Sequence, residues 1–166
     1  MTVISVTKDY DTLTLTLVAE FDAPIEQVWR LWADPRQLER WWGPPSHPAT
    51  VERHDLTPGG EVTYFMTGPE GNRSRAWWRI TSVDPPKYLE FVDGFADQQG
   101  RPITNDWTAT VQVQLADHEG GTRMIMRSIY GSREHMERVD RMGAFEVLRL
   151  TVGQMDGLLT GHHPPG

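Results

Sequence analysis

The sequence contains no cysteine. This absence excludes disulfide bonds, thiolate metal ligands and thiol nucleophiles, and it is typical of proteins from a reducing compartment. The chain also lacks an apolar run long enough to span a bilayer, and residues 1–10 lack the charged-then-apolar pattern of a secretory signal. We therefore expect a cytoplasmic protein that is neither exported nor inserted into a membrane.

Positive charge is scarce: the sequence has 16 lysines and arginines against 23 aspartates and glutamates, so its net charge is -7. No global field then attracts nucleic acid or an anionic membrane, and neither is an expected partner. The hydrophobic fraction of 38% and seven tryptophans indicate a folded core. At 166 residues we predict one domain over residues 1–161, followed by a short disordered tail over 162–166.

The first third of the chain predicts one strand and two short helices. Threonine and leucine alternate over residues 12–17, as in a half-buried strand. Asp22 and Pro24 then indicate a helix start, with Asp22 as the capping side chain. A second helix is predicted over residues 35–41, and the glycine and prolines of residues 43–45 end it.

The middle of the chain reads as an antiparallel meander. Four turn signals, at residues 58–60, 68–72, 84–86 and 118–121, separate stretches rich in β-branched and aromatic residues. The clearest two-residue period runs over residues 107–115, whose predicted inward face is Trp107, Ala109, Val111, Val113 and Leu115.

The period changes after Ser132 to that of a helix ending at Gly161. Its apolar stripe consists of Phe145, Leu148, Val152, Met155 and Leu159. We expect this long helix to pack through the stripe against Trp107, Val111 and Val113 of the sheet.

Several short motifs resemble those of a known family. They are Phe21-Asp22-Ala23-Pro24 with Val28-Trp29, residues 38–44 (LERWWGP), residues 55–60 (DLTPGG), residues 83–86 (VDPP) with Leu89-Glu90-Phe91, and Gly120-Gly121-Thr122. In this order and spacing, across nearly the whole chain, the sequence resembles the START-like, or SRPBCC, superfamily. Within it, the sequence resembles the activator of heat-shock-protein-90 ATPase homologue-like family.

The resemblance implies an α+β helix-grip fold. In this fold a curved antiparallel sheet of about six to seven strands surrounds a long C-terminal helix, and two short helices follow the first strand. The sequence departs from the family pattern at His54, where an apolar residue is usual, and at Phe145, since many relatives carry a tryptophan soon after the glycine that is Gly143 here.

The resemblance also implies an apolar ligand cavity between the long helix and the sheet. We predict that its lining includes Trp41, Trp42, Tyr64, Met66, Phe91, Phe95, Trp107, Met126, Phe145 and Leu148. Core packing is the competing interpretation for the tryptophans and methionines, with Trp41 and Trp42 the pair in which one indole is expected to reach the cavity.

Two ionisable residues are candidates for acid-base chemistry. If Asp93 follows Phe91 on the inward face and His54 faces the same cavity, the pair could move a proton. A register error of one residue would turn either side chain outward, and this structural interpretation is the favoured one. Histidine spacing matches no metal site, and no nucleophile or phosphate-binding motif occurs, so neither a metal nor a cofactor is predicted.

Three functions follow from these features. The preferred one is the binding of a small apolar, aromatic or lipid-like molecule. The alternatives are a cyclase/dehydratase-like enzyme of the polyketide cyclase or aromatase type, and a co-chaperone-like domain that binds a protein such as a chaperone. Gly153 and Gly157 lie one turn apart beside Leu150, which indicates either simple exposure or a homodimer contact.

Overall fold

The structure is a computed structural model that describes residues 3–103 and 108–160. Trp107 and the predicted tail 162–166 lie outside these residues. The elements are β1 (Val3–Asp9), β2 (Thr14–Phe21), α1 (Ile25–Ala33), α2 (Pro35–Trp41), β3 (Ala49–His54), β4 (Glu61–Thr67), β5 (Arg73–Asp84), β6 (Tyr88–Ala96), β7 (Ala109–His118), β8 (Gly121–Tyr130), α3 (Arg133–Arg141) and α4 (Ala144–Thr160).

All eight strands pair antiparallel in one curved sheet, in the order β1-β2-β8-β7-β6-β5-β4-β3. The helix-grip prediction is confirmed, and the sheet has eight strands where about six to seven were predicted. The additional strand is β1, which pairs only with β2 at the sheet edge. Its residues 5–9 are mostly exposed, so the alternation that identifies a half-buried strand is weak there.

The two short helices follow the first predicted strand as expected, and α2 has the predicted bounds. The predicted cap of α1 is wrong. Pro24 occupies the N-cap position and no side chain caps this end, whereas Asp34 caps α2 by accepting a hydrogen bond from the Arg36 amide. Proline is tolerated at this position because a backbone N–H at the start of a helix has no helical carbonyl to donate to, so no helical hydrogen bond is lost.

The C-terminal segment forms two helices rather than one continuous run. Ser132 caps α3 by accepting from the His135 amide, and α3 ends at Arg141. Gly143 then adopts φ 77, a conformation that glycine enters at little cost, and α4 starts at the next residue. The break lets α3 and α4 cover different parts of the sheet.

The core lies between the inward face of the sheet and α1, α2 and α4. One large cluster joins the three helices to strands β2 through β8, and a small second cluster contains Leu15, Met136 and Phe145. Four residues of the predicted helical stripe are buried, whereas Leu148 is only partly buried and contacts both clusters. The helix therefore does not fill the space between the two clusters.

Candidate functional site

A cavity of about 330 Å³ lies where the core is incomplete, between α3, α4 and the inward face of the sheet. Strands β2 and β4–β8 supply one wall, and the segment after α2 supplies part of another. Most of the lining is apolar; it includes Leu15, Trp42, Met66, Ala76, Val111, Met126, Val139, Phe145, Val147 and Leu148. Phe95 and Val147 are the most exposed of the lining residues, at 58% and 40%, and they mark its opening.

Seven of the ten predicted lining residues face this cavity. They are Trp42, Tyr64, Met66, Phe95, Met126, Phe145 and Leu148. Their contact with a ligand stays a prediction. The eighth, Trp107, lies outside the described residues, and the remaining two, Trp41 and Phe91, belong to the core instead.

Trp41 and Phe91 are displaced from the cavity by the packing of other aromatic rings. Phe91 stacks on Trp78 with ring centroids 4.0 Å apart, and Trp41 meets Trp32 edge-on at 4.7 Å. The Trp41 indole N–H also donates to the Leu31 carbonyl at 2.8 Å. Both rings are fully buried at the end of the sheet where α1 and α2 close over it, so the deep part of the predicted cavity is solid.

A hydrogen bond from α4 holds the segment after α2 in place. The Gln154 side-chain amide donates to the Trp41 and Gly43 carbonyls at 3.1 and 2.7 Å. Gly43 has φ 104, and a Cβ there would lie 2.5 Å from the His47 carbonyl oxygen, so only glycine fits. Trp42, between these two residues, is thereby fixed as a wall of the cavity. Sequence reasoning missed Gln154, because a polar residue on a helix does not by itself indicate a hydrogen bond to a distant segment.

His54 and Asp93 face the same side of the sheet but do not meet. Register pairs His54 with Val62, Val62 with Trp78, and Trp78 with Asp93. Three strand spacings separate them, about 14 Å. His54 donates from Nε2 to the Trp32 carbonyl at 3.0 Å and does not line the cavity. The candidate catalytic pair is therefore not assembled, although Asp93 itself lines the cavity.

Asp93 is the single carboxylate on the lining of the cavity among the described residues. Burial away from bulk water raises its pKa to about 7, and a hydrogen bond from the Ala109 amide offsets part of the increase. Its charge in turn adds to the effect of burial in raising the pKa of Tyr64 and of Tyr130, so both phenols remain protonated at neutral pH. The cavity thus combines apolar walls with a small polar group around Asp93.

Three further polar side chains line the cavity: Ser128, His135 and Thr151. The Ser128 hydroxyl lies beside that of Tyr130 and partly offsets the rise in the pKa of this phenol. His135 packs edge-on against the Tyr130 ring at 5.1 Å, and burial lowers the pKa of His135. Sequence reasoning missed Ser128 and Tyr130, although they continue the alternation of Met124 and Met126 along β8.

Other kinds of site find less support. Within residues 3–103 and 108–160, no three histidine, aspartate or glutamate side chains form a cluster suited to a metal ion. No helix in the same part of the chain is both long and apolar enough to cross a bilayer.

The cavity predicts unequal costs for truncating two residues of α4. Met155 is fully buried in the large cluster, so Met155→Ala should lower the free energy of unfolding by about 2 to 5 kcal/mol. Leu148 borders existing empty space and loses fewer contacts, so Leu148→Ala should cost about 1 kcal/mol. Urea denaturation of both variants measures the difference. Equal losses would place Leu148 in a filled core.

Comparisons with known proteins agree with this architecture. A crystal structure of a Mycobacterium smegmatis protein superposes with a TM-score of 0.88 at 49% identity, covering 98% of this chain and 99% of that one. A solution structure of an Arthrobacter aurescens protein superposes with a TM-score of 0.91 at 44% identity and the same coverage. No curated protein matches the chain. The model of the Activator of Hsp90 ATPase homolog 1-like protein family matches residues 22–160, and the chain belongs to this family.

Proposed function

We propose that this protein binds a small apolar or aromatic molecule in the cavity between α4 and the sheet. The observation that carries the proposal is the cavity itself, about 330 Å³ of space lined mostly by apolar side chains. Small-molecule sites are typically concave, largely apolar and of about 300 to 1,000 Å³. The family and the fold of the chain are those of SRPBCC ligand-binding domains in general, which supports this proposal. We also propose a cytoplasmic location.

Naphthalene, a flat bicyclic hydrocarbon, is a suitable probe. Titrated into ¹⁵N-labelled protein, it should shift the amide signals of cavity residues such as Ala109 and Val111 saturably, because burying its surface removes apolar area from water. The signals of the solvent-exposed turn residues 70–72 should stay in place. Shifts spread over the surface, or none at all, would contradict the proposal.

Two matched substitutions on α4 test the location of the site. Val147 lines the opening and is 40% exposed, whereas Leu150, on the same helix, is 59% exposed and does not line the cavity. Val147→Trp should obstruct entry and weaken naphthalene binding by about fivefold or more, a change of about 1 kcal/mol. Leu150→Trp should leave the affinity unchanged. Equal effects of the two variants would argue against this opening.

An enzyme of the polyketide cyclase or aromatase type is the second candidate, favoured by Asp93. A carboxyl group with a pKa of about 7 presents both of its protonation states at neutral pH, as an acid-base catalyst requires. Without His54 the reaction would depend on Asp93 and the neighbouring phenols. Incubation with an aromatic poly-β-ketone, followed by NMR, should then give product signals with the unmodified protein and none with Asp93→Asn.

A protein partner has less support. The exposed large apolar residues are Phe95, Ile103, Met142, Val147 and Leu150. Two of them, Phe95 and Val147, already line the cavity, which leaves three such residues in the described part of the chain. Added Cβ atoms at Gly153 and Gly157 would meet nothing within 4 Å, so exposure explains these glycines without a homodimer. Chaperone binding and dimerisation stay predictions.

A further inference from the structure

The polar group of the cavity points to the chemical class of the ligand. We propose that the cavity selects an aromatic or alicyclic molecule carrying a hydrogen-bond donor, an alcohol, phenol or amine, which donates to Asp93, and that it rejects carboxylic acids such as fatty acids. This inference rests on the proposed function, since it names the ligand of the same cavity.

The charge of the cavity lining disfavours an anionic ligand. None of the lysines or arginines in the described part of the chain lines the cavity. His135, the lining residue that a proton could make positive, has a pKa lowered by burial and stays neutral at pH 7. A ligand carboxylate would lose its hydration without gaining a cationic partner, which is costly in an apolar site.

The position of the Asp93 carboxylate makes it the acceptor for a ligand donor. Asp93 sits on β6 with Ala109 beside it on β7 and Tyr130 beyond Ala109 on β8, all in one register row of the inward face. The Ala109 amide satisfies only part of the hydrogen-bonding capacity of the carboxylate. The Asp93 side chain still lines the open cavity, so a ligand hydroxyl or amine can reach it.

The other titratable groups of the lining reinforce this preference. They are Tyr64 from β4, Tyr130 from β8 and His135 from α3, whereas β5, β7 and α4 contribute no titratable side chain to the lining. Tyr64 and Tyr130 are protonated at neutral pH because burial and the Asp93 charge raise their pKa values. Asp93 is therefore the one anionic group there, and a neutral or positively charged donor is its complement.

Four probes with the same ring system separate these classes: naphthalene itself, and naphthol, naphthylmethylamine and naphthoate substituted at one common ring position. NMR titration at pH 8, where Asp93 is mostly charged, should show naphthol and the amine binding about tenfold or more tightly than naphthoate. The affinity of the amine should fall as the pH decreases through 7, because protonation of Asp93 removes its partner. The affinity of naphthalene should not change over this range.

Two variants locate the effect. Asp93→Asn keeps the size of the side chain and should remove both the preference for the amine and its pH dependence. Asp117→Asn removes an exposed carboxylate of β7 and should preserve both. Naphthoate binding as tightly as naphthol, or an unchanged ranking in Asp93→Asn, would overturn the inference while naphthalene binding keeps the proposed function intact. If naphthalene and all its derivatives fail to bind, both are overturned.

Discussion

Replacing Asp93 by asparagine should stabilise the folded protein by about 2 to 4 kcal/mol at pH 8. The pKa of Asp93 is raised from 3.8 to about 7, so between these values the folded protein holds a proton that the unfolded chain releases. The stability of the unmodified protein therefore falls as the pH rises through this window, and the full loss is present above pH 7. Asparagine does not ionise, and its side-chain oxygen can still accept from the Ala109 amide.

Urea denaturation at a series of pH values measures this effect. The difference in free energy of unfolding between Asp93→Asn and the unmodified protein should be less than half as large at pH 5 as at pH 8. At pH 5 most of the range between the two pKa values, 3.8 and about 7, has not yet been crossed. Asp117→Asn is the control, because this exposed carboxylate is removed from the same sheet without entering the cavity. A gap that is constant with pH would show that Asp93 is not held in a desolvating site.

Phe91→Ala should lower the free energy of unfolding by about 3 to 5 kcal/mol. The Phe91 ring is fully buried and stacks on Trp78 at 4.0 Å with an angle of 13° between the planes. Its removal costs the transfer of a large apolar group and leaves a void against Trp78 and Trp32, which pack tightly with each other.

Phe95→Ala is the matched control, four residues along the same strand. Phe95 is 58% exposed at the cavity opening, so its truncation should cost less than about 1 kcal/mol. It should instead weaken naphthalene binding, because the ring is part of the opening. A large loss of stability for Phe95→Ala, or a small one for Phe91→Ala, would reverse their assignment to cavity and core.

For Phe91 and Phe95, the alternation along the strand predicts the face of the sheet but not the depth of burial. Alternation along β6 correctly placed Phe91, Asp93 and Phe95 on one face of the sheet, since side chains two residues apart point the same way. It could not distinguish their depths. That distinction depends on where α1 and α2 cover the sheet, and this in turn depends on contacts between residues far apart in sequence.

The candidate catalytic pair failed for a related reason. His54 and Asp93 do share the inward face, as alternation predicts, but strand order separates them by Val62 and Trp78. The pairing partners of a strand are set by the whole sheet, so two inward residues can lie one strand or several strands apart. The polar side chains that line the cavity with Asp93 include Ser128 and Tyr130 of β8 and His135 of α3, each more than 30 residues after it in the chain.

The two short helices and the turns of the meander were predictable from the sequence alone, because periodicity and turn residues are local properties of the chain, and the resemblance of its motifs to a known family implied the helix-grip class. The packing of distant elements decided that Trp41 and Phe91 fill the core, that His54 binds the end of α1, and that Ser128, Tyr130 and His135 line the same cavity as Asp93. These outcomes depend on which distant surfaces meet and how completely they fill the space between them. Packing of that kind is settled only when the sheet and its helices close on one another.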